Sequence, residues 1–413
     1  MVYVISIEGK PLMPCKEAKA RKLLRDNKAK VIKRTPFTIQ LLFVCENITQ
    51  PITLGIDAGS KKIGISATTE TKELYASEVT LRNDIVDNLA SRRQFRRTRR
   101  NRKTRYRKAR FMNRKKSEGW LAHSIRQKIE THLKVVSDVH KILPISKIIV
   151  ETASFDIQKI KNPEIQGEQY QQGEQLDFWN VREYVLFRDN HVCQHCKGKT
   201  KDKILNVHHI ESRKIGGDAP NNLITLCETC HKKHHAGQIE LKVKRGASFK
   251  AAAFMGIMRW GFYDKLREIY PDVSMTYGYI TKNTRIRNEL EKSHVVDARC
   301  VSGNPQAEPL PNFYLQKSVR KRNRQLHKAT IAKGGKRKSN QAPKYVHGFQ
   351  LFDKVLFENQ ECFVFGRRSS GYFDLRLLDG SKVHASANYK KLKVLEKTKT
   401  LLIERRRAIP PIA

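Results

Sequence analysis

The sequence predicts a mixed α/β protein in which a small metal-binding segment interrupts a larger domain. Short apolar runs of strand length alternate with helical stretches along most of the 413 residues. Residues 193–235 carry cysteines and histidines at the spacing of metal ligands. Carboxylates near apolar runs stand on both sides of this segment, at Asp57, Glu151 and Asp297. A chain of this length predicts two or three domains at about 150 residues each.

Four cysteines form two Cys-x-x-Cys pairs, Cys193 with Cys196 and Cys227 with Cys230. A gap of two residues lets both sulfur atoms of a turn point at one ion, so two such turns complete a tetrahedral structural zinc site. The alternative is four buried thiols or two disulfides. We favour zinc, which would stabilise a segment too short to build a large core. The other cysteines are expected to be free thiols of a reducing cytoplasm: Cys15, Cys45, Cys300 and Cys362.

The histidines of this segment predict a second, catalytic cation. Residues 205–210 alternate like a short strand, so His208 and His209 point to opposite faces. His208 can bind a cation while His209 faces a substrate as general base. His231 and His235 lie four residues apart on one face of a predicted helix, although His235 can equally be a solvated helix residue. Surface or zinc-knuckle positions are predicted for His191, His195 and His234.

This segment resembles the HNH nucleases, which have a ββα-metal fold, with a turn at residues 216–220 between strand and helix. The resemblance implies hydrolysis of a phosphodiester. His209 would activate water, and one Mg²⁺ held by His208 and His231 would stabilise the developing charge. Asn222 matches the middle residue of the HNH name and is expected to brace the two strands.

The charge of the chain predicts a polyanionic partner. Lys and Arg number 82 against 40 Asp and Glu, which gives a formal net charge of +42. Self-repulsion of this size would weaken the compact state unless a polyanion neutralises it. The basic residues also cluster, which a charge that serves solubility alone would not require. Nucleic acid is therefore the predicted partner.

The densest basic cluster is residues 92–116, where fifteen of 25 residues are Arg or Lys and none is acidic. The stretch has no Pro or Gly, so it predicts a helix that a groove of phosphates would stabilise. A solvated face or disordered tail is the usual alternative, but this run is internal. Arg predominance favours RNA. The predicted contacts are Arg92, Arg93, Arg96, Arg97, Arg99, Arg100, Arg102, Arg105, Arg107 and Arg110.

Secretion and membrane insertion are not expected. Residues 1–6 lack a basic leader and a long apolar core, so they do not predict a signal peptide. The longest apolar run, near residues 251–258, is far short of a membrane span. We therefore expect a cytoplasmic, prokaryotic protein with no membrane partner.

Three separate patterns supply acidic residues. Asp57 follows an apolar strand and precedes a glycine turn. The alternative is that it only stabilises this turn. Glu151 ends an apolar run and could be the exposed end of a buried strand. His294 and Asp297 share one face of a helix and could be a surface pair. Three acids that converge could hold two Mg²⁺ ions about 4 Å apart for in-line cleavage.

This ordered set resembles the RuvC nuclease, an RNase H-like fold split into three sequence pieces. The resemblance implies that Asp57, Glu151 and Asp297 bind the metal ions, and that His294 transfers protons or supports the metal ligands. The segment that resembles HNH nucleases falls between the second and third pieces.

The N-terminal residues extend the resemblance. Pro11-Leu12-Met13-Pro14 precedes a predicted helix at residues 17–27 and two predicted strands at 29–33 and 36–41. By itself this is a small α+β module. Followed by a RuvC piece, an Arg-rich helix and an HNH insertion, it is similar to the arrangement of IscB. That family comprises transposon-encoded, RNA-guided nucleases related to the type II CRISPR effectors.

The C-terminal residues predict a basic linker and a small β-barrel. Basic runs occur at residues 320–324 and 333–338. Alternating strands with glycine turns are predicted at residues 354–357, 362–365, 372–377 and 391–394. The resemblance implies that this region binds the guide RNA scaffold and reads a short motif beside the DNA target, with residues 366–370 as a contact loop.

The resemblance covers nearly the whole chain and implies seven segments. They are an N-terminal module 1–52, RuvC piece I 53–90, an Arg-rich bridge helix 91–117, RuvC piece II 118–176, the HNH domain with zinc ribbon 177–240, RuvC piece III 241–310 and a C-terminal domain 311–413. The expected fold is an RNase H-like core with an inserted ββα-metal domain, a long Arg-rich helix and a small C-terminal β-barrel.

The predicted function is RNA-guided DNA cleavage. A monomeric protein would bind a structured guide RNA (omega RNA) and double-stranded target DNA, with two Mg²⁺ in RuvC, one in HNH and a structural Zn²⁺. HNH would cut the guide-paired strand and RuvC the displaced strand. The alternatives are a guide-independent HNH homing or restriction endonuclease and a non-catalytic RNA-binding protein.

Overall fold

The structure is a computed structural model that describes residues 1–100, 120–152, 181–212, 220–241, 250–320 and 343–407. The side chains of residues 98–100 and 250–253 are not among those described. Contacts divide the chain into two compact units. The first comprises Met1–Ala153 and Met255–Ala413, and the second comprises Ser154–Phe254.

Eight helices lie in the described residues: α1 Glu17–Arg25, α2 Ile85–Arg100, α3 His123–His140, α4 Val181–Arg188, α5 Glu228–His235, α6 Lys250–Ile269, α7 Gly278–Arg287 and α8 His294–Val301. The strands of the same residues are β1 Val2–Ile5, β2 Pro11–Cys15, β3 Ala29–Lys33, β4 Thr38–Leu41, β5 Thr53–Ala58, β6 Lys62–Thr68, β7 Glu73–Thr80, β8 Lys147–Glu151, β9 Leu205–His209, β10 Leu223–Cys227, β11 Val273–Thr276, β12 Asn312–Ser318, β13 Lys354–Phe357, β14 Gln360–Arg367, β15 Tyr372–Arg376, β16 Lys382–Asn388, β17 Lys393–Glu396 and β18 Leu401–Arg407.

The central sheet of the first unit has seven strands in the order β11-β8-β5-β6-β7-β12-β18. Strand β8 runs parallel to both β5 and β11, whereas β5, β6 and β7 form an antiparallel meander. Ile56, Ile63 and Ile65 are fully buried in it, which explains the apolar runs in the sequence. Strand β18 extends the sheet from the far C-terminal end of the described residues, a pairing that the sequence did not predict.

Two smaller sheets complete the first unit. The N-terminal sheet has the order β2-β1-β4-β3 and contains the predicted helix and strands, with α1 and β3 at nearly the predicted bounds. The C-terminal sheet is antiparallel, in the order β16-β15-β14-β13-β17. Four of its strands lie at or near predicted positions, and β16 was missed. The β16–β17 pairing that would close a barrel is not among the strand pairs found in the described residues, so the barrel stays a prediction.

Two glycines let helix α8 pack directly onto the central sheet. A Cβ at Gly55 of β5 would lie 2.0 Å from the carbonyl oxygen of Ala298. A Cβ at Gly64 of β6 would lie 1.8 Å from the carbonyl oxygen of His294. Any side chain at either position would force the backbone of α8 away from the sheet. These glycines therefore fix the distance between α8 and the strand that carries Asp57.

The second unit contains a two-stranded antiparallel hairpin of β9 and β10, followed directly by α5. Strand β10 is buried throughout. Its first residue, Leu223, packs with Tyr184 and Val185 of α4. The predicted strand at residues 205–210 and the helix that carries His231 are both confirmed. The turn predicted at residues 216–220 lies outside the described residues except for Pro220. In the described part of the chain, none of the helices is long and apolar enough to span a membrane.

Gly64→Ala should destabilise the first unit because the new methyl group meets backbone and not a flexible side chain. Overpacking of this kind costs about 1–3 kcal/mol, so we expect a lower melting temperature by calorimetry. Gly256→Ala is the matched control, since Gly256 lies within α6 and a Cβ there meets nothing within 4 Å. That control should be neutral or slightly stabilising. Equal melting temperatures for the two variants would contradict the packing account.

His132 of α3 predicts a loss of stability in acid. It is buried against Phe262, and burial lowers its pKa to about 4. In the unfolded chain the imidazole takes up a proton near pH 6.5. The cost of keeping it neutral is therefore absent above pH 6.5 and grows to roughly 3 kcal/mol as the pH falls to 4.

His132→Gln should flatten the decline of the melting temperature between pH 6.5 and 4. The exposed His123, at the start of the same helix, provides the control His123→Gln. A decline of the same slope in wild type and His132→Gln would show that His132 is not the group responsible.

Candidate active sites

The four cysteines of the second unit converge on one point. One sulfur atom from each lies within 4.8 Å of those of the others, and three of the four side chains are buried. Cys227 precedes α5 and Cys230 lies in its first turn, whereas Cys193 and Cys196 follow α4. All eight cysteines are free thiols, so the disulfide alternative is not supported. Four thiols in this arrangement fit a tetrahedral zinc ion.

The chemistry of the thiols also fits a cation. Burial and the neighbouring thiols raise the pKa of Cys230, and burial raises the pKa of Cys227. For Cys196 burial acts in the same direction, but hydrogen bonds from Thr200 outweigh it and lower the pKa to about 6. The Thr200 hydroxyl lies 3.3 Å from the sulfur of Cys196 and 3.1 Å from that of Cys227. Four thiolates can therefore coexist here only around a positive ion.

Three histidines form the second ligand set of this unit: His208, His231 and His235, each with a ring nitrogen within 4.8 Å of the others. Strand β9 supplies His208, and one face of α5 supplies the other two. The rings of His208 and His231 lie 5.1 Å apart, and those of His231 and His235 lie 4.6 Å apart. The structure therefore places His235 with the two predicted ligands, which the four-residue spacing had indicated.

Two of the three histidines, His208 and His231, favour the neutral form. Burial, followed by the neighbouring imidazoles, lowers the pKa of His208 to about 4. Burial also lowers the pKa of His231. Neutral imidazole is the form that ligates a metal ion.

His234 lies inside this cluster and not at the surface position predicted for it. Its ring packs edge-on against His208 at 4.8 Å, and its Nδ1 lies 3.1 Å from the carbonyl oxygen of Ile239. The reason is geometric, because His234 lies three positions after His231 on α5 and therefore on a neighbouring part of the same helix face. His191 and His195 are exposed, as predicted.

Asn222 and His209 lie where β9 ends and β10 begins. Asn222 is fully buried, donates through Nδ2 to the Glu211 carbonyl oxygen at 3.0 Å and accepts from the Glu211 N–H at 2.9 Å. It thus braces the chain after β9, as expected. His209 is half-buried, next to the buried His208 on β9. Adjacent strand residues point to opposite faces, so His209 does not join the three ligands.

The predicted acids of the first unit come from three elements. Asp57 is the fifth residue of β5, Glu151 ends β8, and Asp297 lies in the first turn of α8. The Oγ of Ser293 caps α8 by accepting from the N–H of Val296 at 3.1 Å. Parallel pairing of β5 with β8 brings Asp57 and Glu151 to the same end of the sheet. The positive end of α8 favours negative charge there.

Asp57 and Glu151 each contact a basic side chain. His294 Nδ1 lies 2.6 Å from Asp57 Oδ2, and this contact raises the pKa of His294. Arg259 of α6 is buried, donates to the Ala58 carbonyl oxygen at 2.7 Å and contacts Glu151 Oε1 at 3.3 Å.

Asp297 pairs with Arg285 of α7, whose Nε lies 3.0 Å from Oδ1. The angle at this Nε does not meet hydrogen-bond geometry, so the contact is an ion pair. The sequence did not predict roles for Arg285 or Arg259, since nothing distinguishes them among 82 basic residues.

The three acids influence one another. Burial and then the charge of Asp57 raise the pKa of both Glu151 and Asp297. Asp57 is therefore the central acid of the three. Of the described residues, only the cysteines and the three histidines form sets of three or more ligand atoms within 4.8 Å. The acids stand further apart than that. Each is neighboured by a basic group, and the mutual repulsion that remains fits the binding of cations between them.

The start of the Arg-rich segment is helical. Helix α2 begins at Ile85, before the predicted start, and is described as far as Arg100. The side chains of Arg92, Arg93, Arg96 and Arg97 are exposed. The backbone of Arg99 and Arg100 is helical, and the predicted contacts Arg102, Arg105, Arg107 and Arg110 lie outside the described residues.

Two family models match separate parts of the chain. Residues 2–173 match the family model of the RRXRR protein, and residues 193–237 match that of the HNH endonuclease. No curated protein matches the chain.

Solved structures of Streptococcus thermophilus Cas9 show a distant likeness. One in complex with the AGGA PAM has a TM-score of 0.30 at 14% identity, over 44% of this chain and 26% of Cas9. One with the GGAA PAM has a TM-score of 0.30 at 15% identity, over 52% and 31% of the two chains. The chain thus spans about a third or less of the length of Cas9.

The two family matches cover separate parts of the chain, and the second places an HNH endonuclease-like domain in the second unit. A domain of this kind works with a divalent metal ion, which His208, His231 and His235 could hold.

Cys230→Ser should release the zinc and unfold the second unit. Loss of a structural zinc removes much of the folding energy of so small a domain, so we expect about one zinc per chain in wild type and much less in the variant. Elemental analysis and limited proteolysis measure both effects. Cys45→Ser, which changes a cysteine outside the cluster, should keep the zinc. Full zinc content in Cys230→Ser would contradict the four-cysteine site.

Proposed function

We propose that this chain is an IscB/Cas9-like nuclease, an RNA-guided DNA endonuclease. It binds a structured guide RNA and cuts both strands of a DNA target. The observation that carries the proposal is the presence of two different candidate metal sites, one in each compact unit. Two sites with different ligand chemistry suit two strands of opposite polarity, and a chain with a net charge of +42 needs a polyanion.

In the second unit, His208, His231 and His235 would hold one divalent cation, Mg²⁺ by our proposal. When bound, the cation supplies charge stabilisation for the scissile phosphate. His209, on the opposite face of β9, accepts the proton of the attacking water. Asn222 holds the chain after β9 in place through its pair of hydrogen bonds to Glu211. We propose that this site cuts the guide-paired strand.

In the first unit, Asp57, Glu151 and Asp297 would hold two Mg²⁺ ions. Bound there, the ions supply charge stabilisation for attack and departure. His294 holds Asp57 through a 2.6 Å contact and stays partly exposed, so it can exchange protons with solvent. Arg259 keeps the Glu151 carboxylate turned toward β5 through its bond to Ala58. We propose that this site cuts the displaced strand.

The guide RNA would lie against the exposed arginines of α2 and the two smaller sheets. Guanidinium groups bind phosphates bidentately and stack on bases. The predicted contact loop at residues 366–370 begins inside β14, and its exposed part, residues 368–370, follows that strand. Arg368 Nη1 donates there to Ser386 Oγ at 2.7 Å. We propose that this loop contributes to reading the motif beside the target.

The proposed function implies a particular fold for each part of the first unit. We propose that the central sheet with α8 is an RNase H-like core divided by the second unit, and that the C-terminal sheet closes into a small barrel. The seven segment boundaries inferred from the sequence belong to the same proposal. The two-unit division, with Ser154–Phe254 inserted in sequence between the parts of the first unit, supports it.

Single substitutions should separate the two cuts. With guide RNA and Mg²⁺, His209→Ala should slow cutting of the guide-paired strand at least 100-fold, since a general base contributes about 10²–10⁴. Asp57→Ala should slow the displaced-strand cut at least as much. DNA labelled differently on each strand measures both rates in one reaction.

His191→Ala is the control for His209→Ala, because His191 is exposed and outside both ligand sets. If either His209→Ala or Asp57→Ala abolished both cuts, the two sites would not be independent. If the protein purified without RNA and cut DNA unaided, a guide-independent HNH endonuclease would be the better account.

A further inference from the structure

Two tyrosines stand at the edge of the carboxylate site. Tyr277 precedes α7 as its N-cap and Tyr279 lies in the first turn. Their rings are 6.0 Å apart with planes only 10° from parallel. Tyr279 is 66% exposed and Tyr277 is 36% exposed. Large aromatic side chains are usually buried, so two exposed rings with parallel planes need an explanation outside the core.

The tyrosines are tied to the acids by the backbone between them. A Cβ on Gly278 would lie 3.2 Å from Glu151 Oε1, so the segment Tyr277–Tyr279 passes directly against that carboxylate. Thr276, the preceding residue, pairs with Glu151 across β11 and β8. Further along α7, Arg285 pairs with Asp297. Helix α7 therefore borders two of the three acids, with its tyrosine end beside Glu151.

The surroundings of the tyrosines suit a nucleic acid strand. Helix α7 has the sequence GYITKNTRIR, with three basic residues and no acid. Lys282 and Arg287 are exposed on it. Exposed aromatic rings beside basic side chains are how proteins hold single strands, since bases stack on the rings while phosphates meet the cations.

We propose that Tyr277 and Tyr279 form a stacking platform for an unpaired base of the DNA strand cut at the carboxylate site. The inference rests on the proposed function of that site. A phosphodiester bound between the acids brings its flanking bases to the rim of the site, where Tyr279 offers a ring face. Stacking there holds the strand in register and requires no particular base.

The test uses the complete protein with guide RNA and a target whose displaced strand is labelled. Loss of one stacking contact costs binding by about tenfold or more, so Tyr279→Ala should slow displaced-strand cutting by a similar factor under subsaturating DNA. Tyr279→Phe keeps the ring and should cut at nearly the wild-type rate. Ile286→Ala changes an exposed residue near the other end of α7 and should have no effect. The guide-paired cut in the same tube should stay unchanged.

A binding measurement follows stacking directly. Single-stranded DNA with 2-aminopurine at successive positions is mixed with the protein in Ca²⁺. One position should show quenching that Tyr279→Phe retains and Tyr279→Ala loses.

Wild-type cutting and quenching in Tyr279→Ala would overturn the platform, as would equal defects in Tyr279→Ala and Tyr279→Phe. A wild-type protein that leaves the displaced strand intact would instead contradict the proposed function. In that case the fluorescence measurement alone decides whether the tyrosines stack on a base. If 2-aminopurine were quenched in an RNA strand but not in a DNA strand, DNA would be rejected as the ligand of the platform.

Discussion

The first unit depends on keeping three buried or half-buried carboxylates near one another. Like charges in a poorly solvated site oppose ionisation, as the raised pKa of Glu151 and Asp297 shows. The protein offsets part of this repulsion with a separate basic group at each acid, of which Arg259 is the most buried. The remaining negative charge is what a pair of divalent cations would neutralise. The repulsion that opposes ionisation of these acids would therefore also be the source of the metal affinity that we propose for them.

The sheet and the helix that carry these acids pack with their backbones close together. Gly55 and Gly64 leave no room for a side chain between the strands and α8, so the helix N-terminus sits directly over Asp57. Gly278 does the same for the segment beside Glu151. The second unit is organised differently. It is small, and four thiols converge on one point in it. One unit is thus organised by close packing and the other by ligation.

Much of the second unit was predictable from the sequence because its signals are local. Cysteine and histidine spacings of two and four residues specify geometry within one turn or helix. The acids of the first unit were also identified, but their partners were not. Arg259 and Arg285 contact them from distant parts of the chain and look like any other basic residue. Likewise β18, with the sequence LLIERRR, has a basic half, and only its pairing with β12 makes it a strand.

We propose that the chain carries two chemically distinct sites for divalent cations besides the zinc. Mn²⁺ titration followed by electron paramagnetic resonance counts the bound ions without requiring cleavage. We expect Asp57→Ala to lose the carboxylate-site ions and keep the ion of the histidine set, and His208→Ala to do the reverse. Unchanged Mn²⁺ binding in Asp57→Ala, or loss of every ion in either variant, would contradict this proposal.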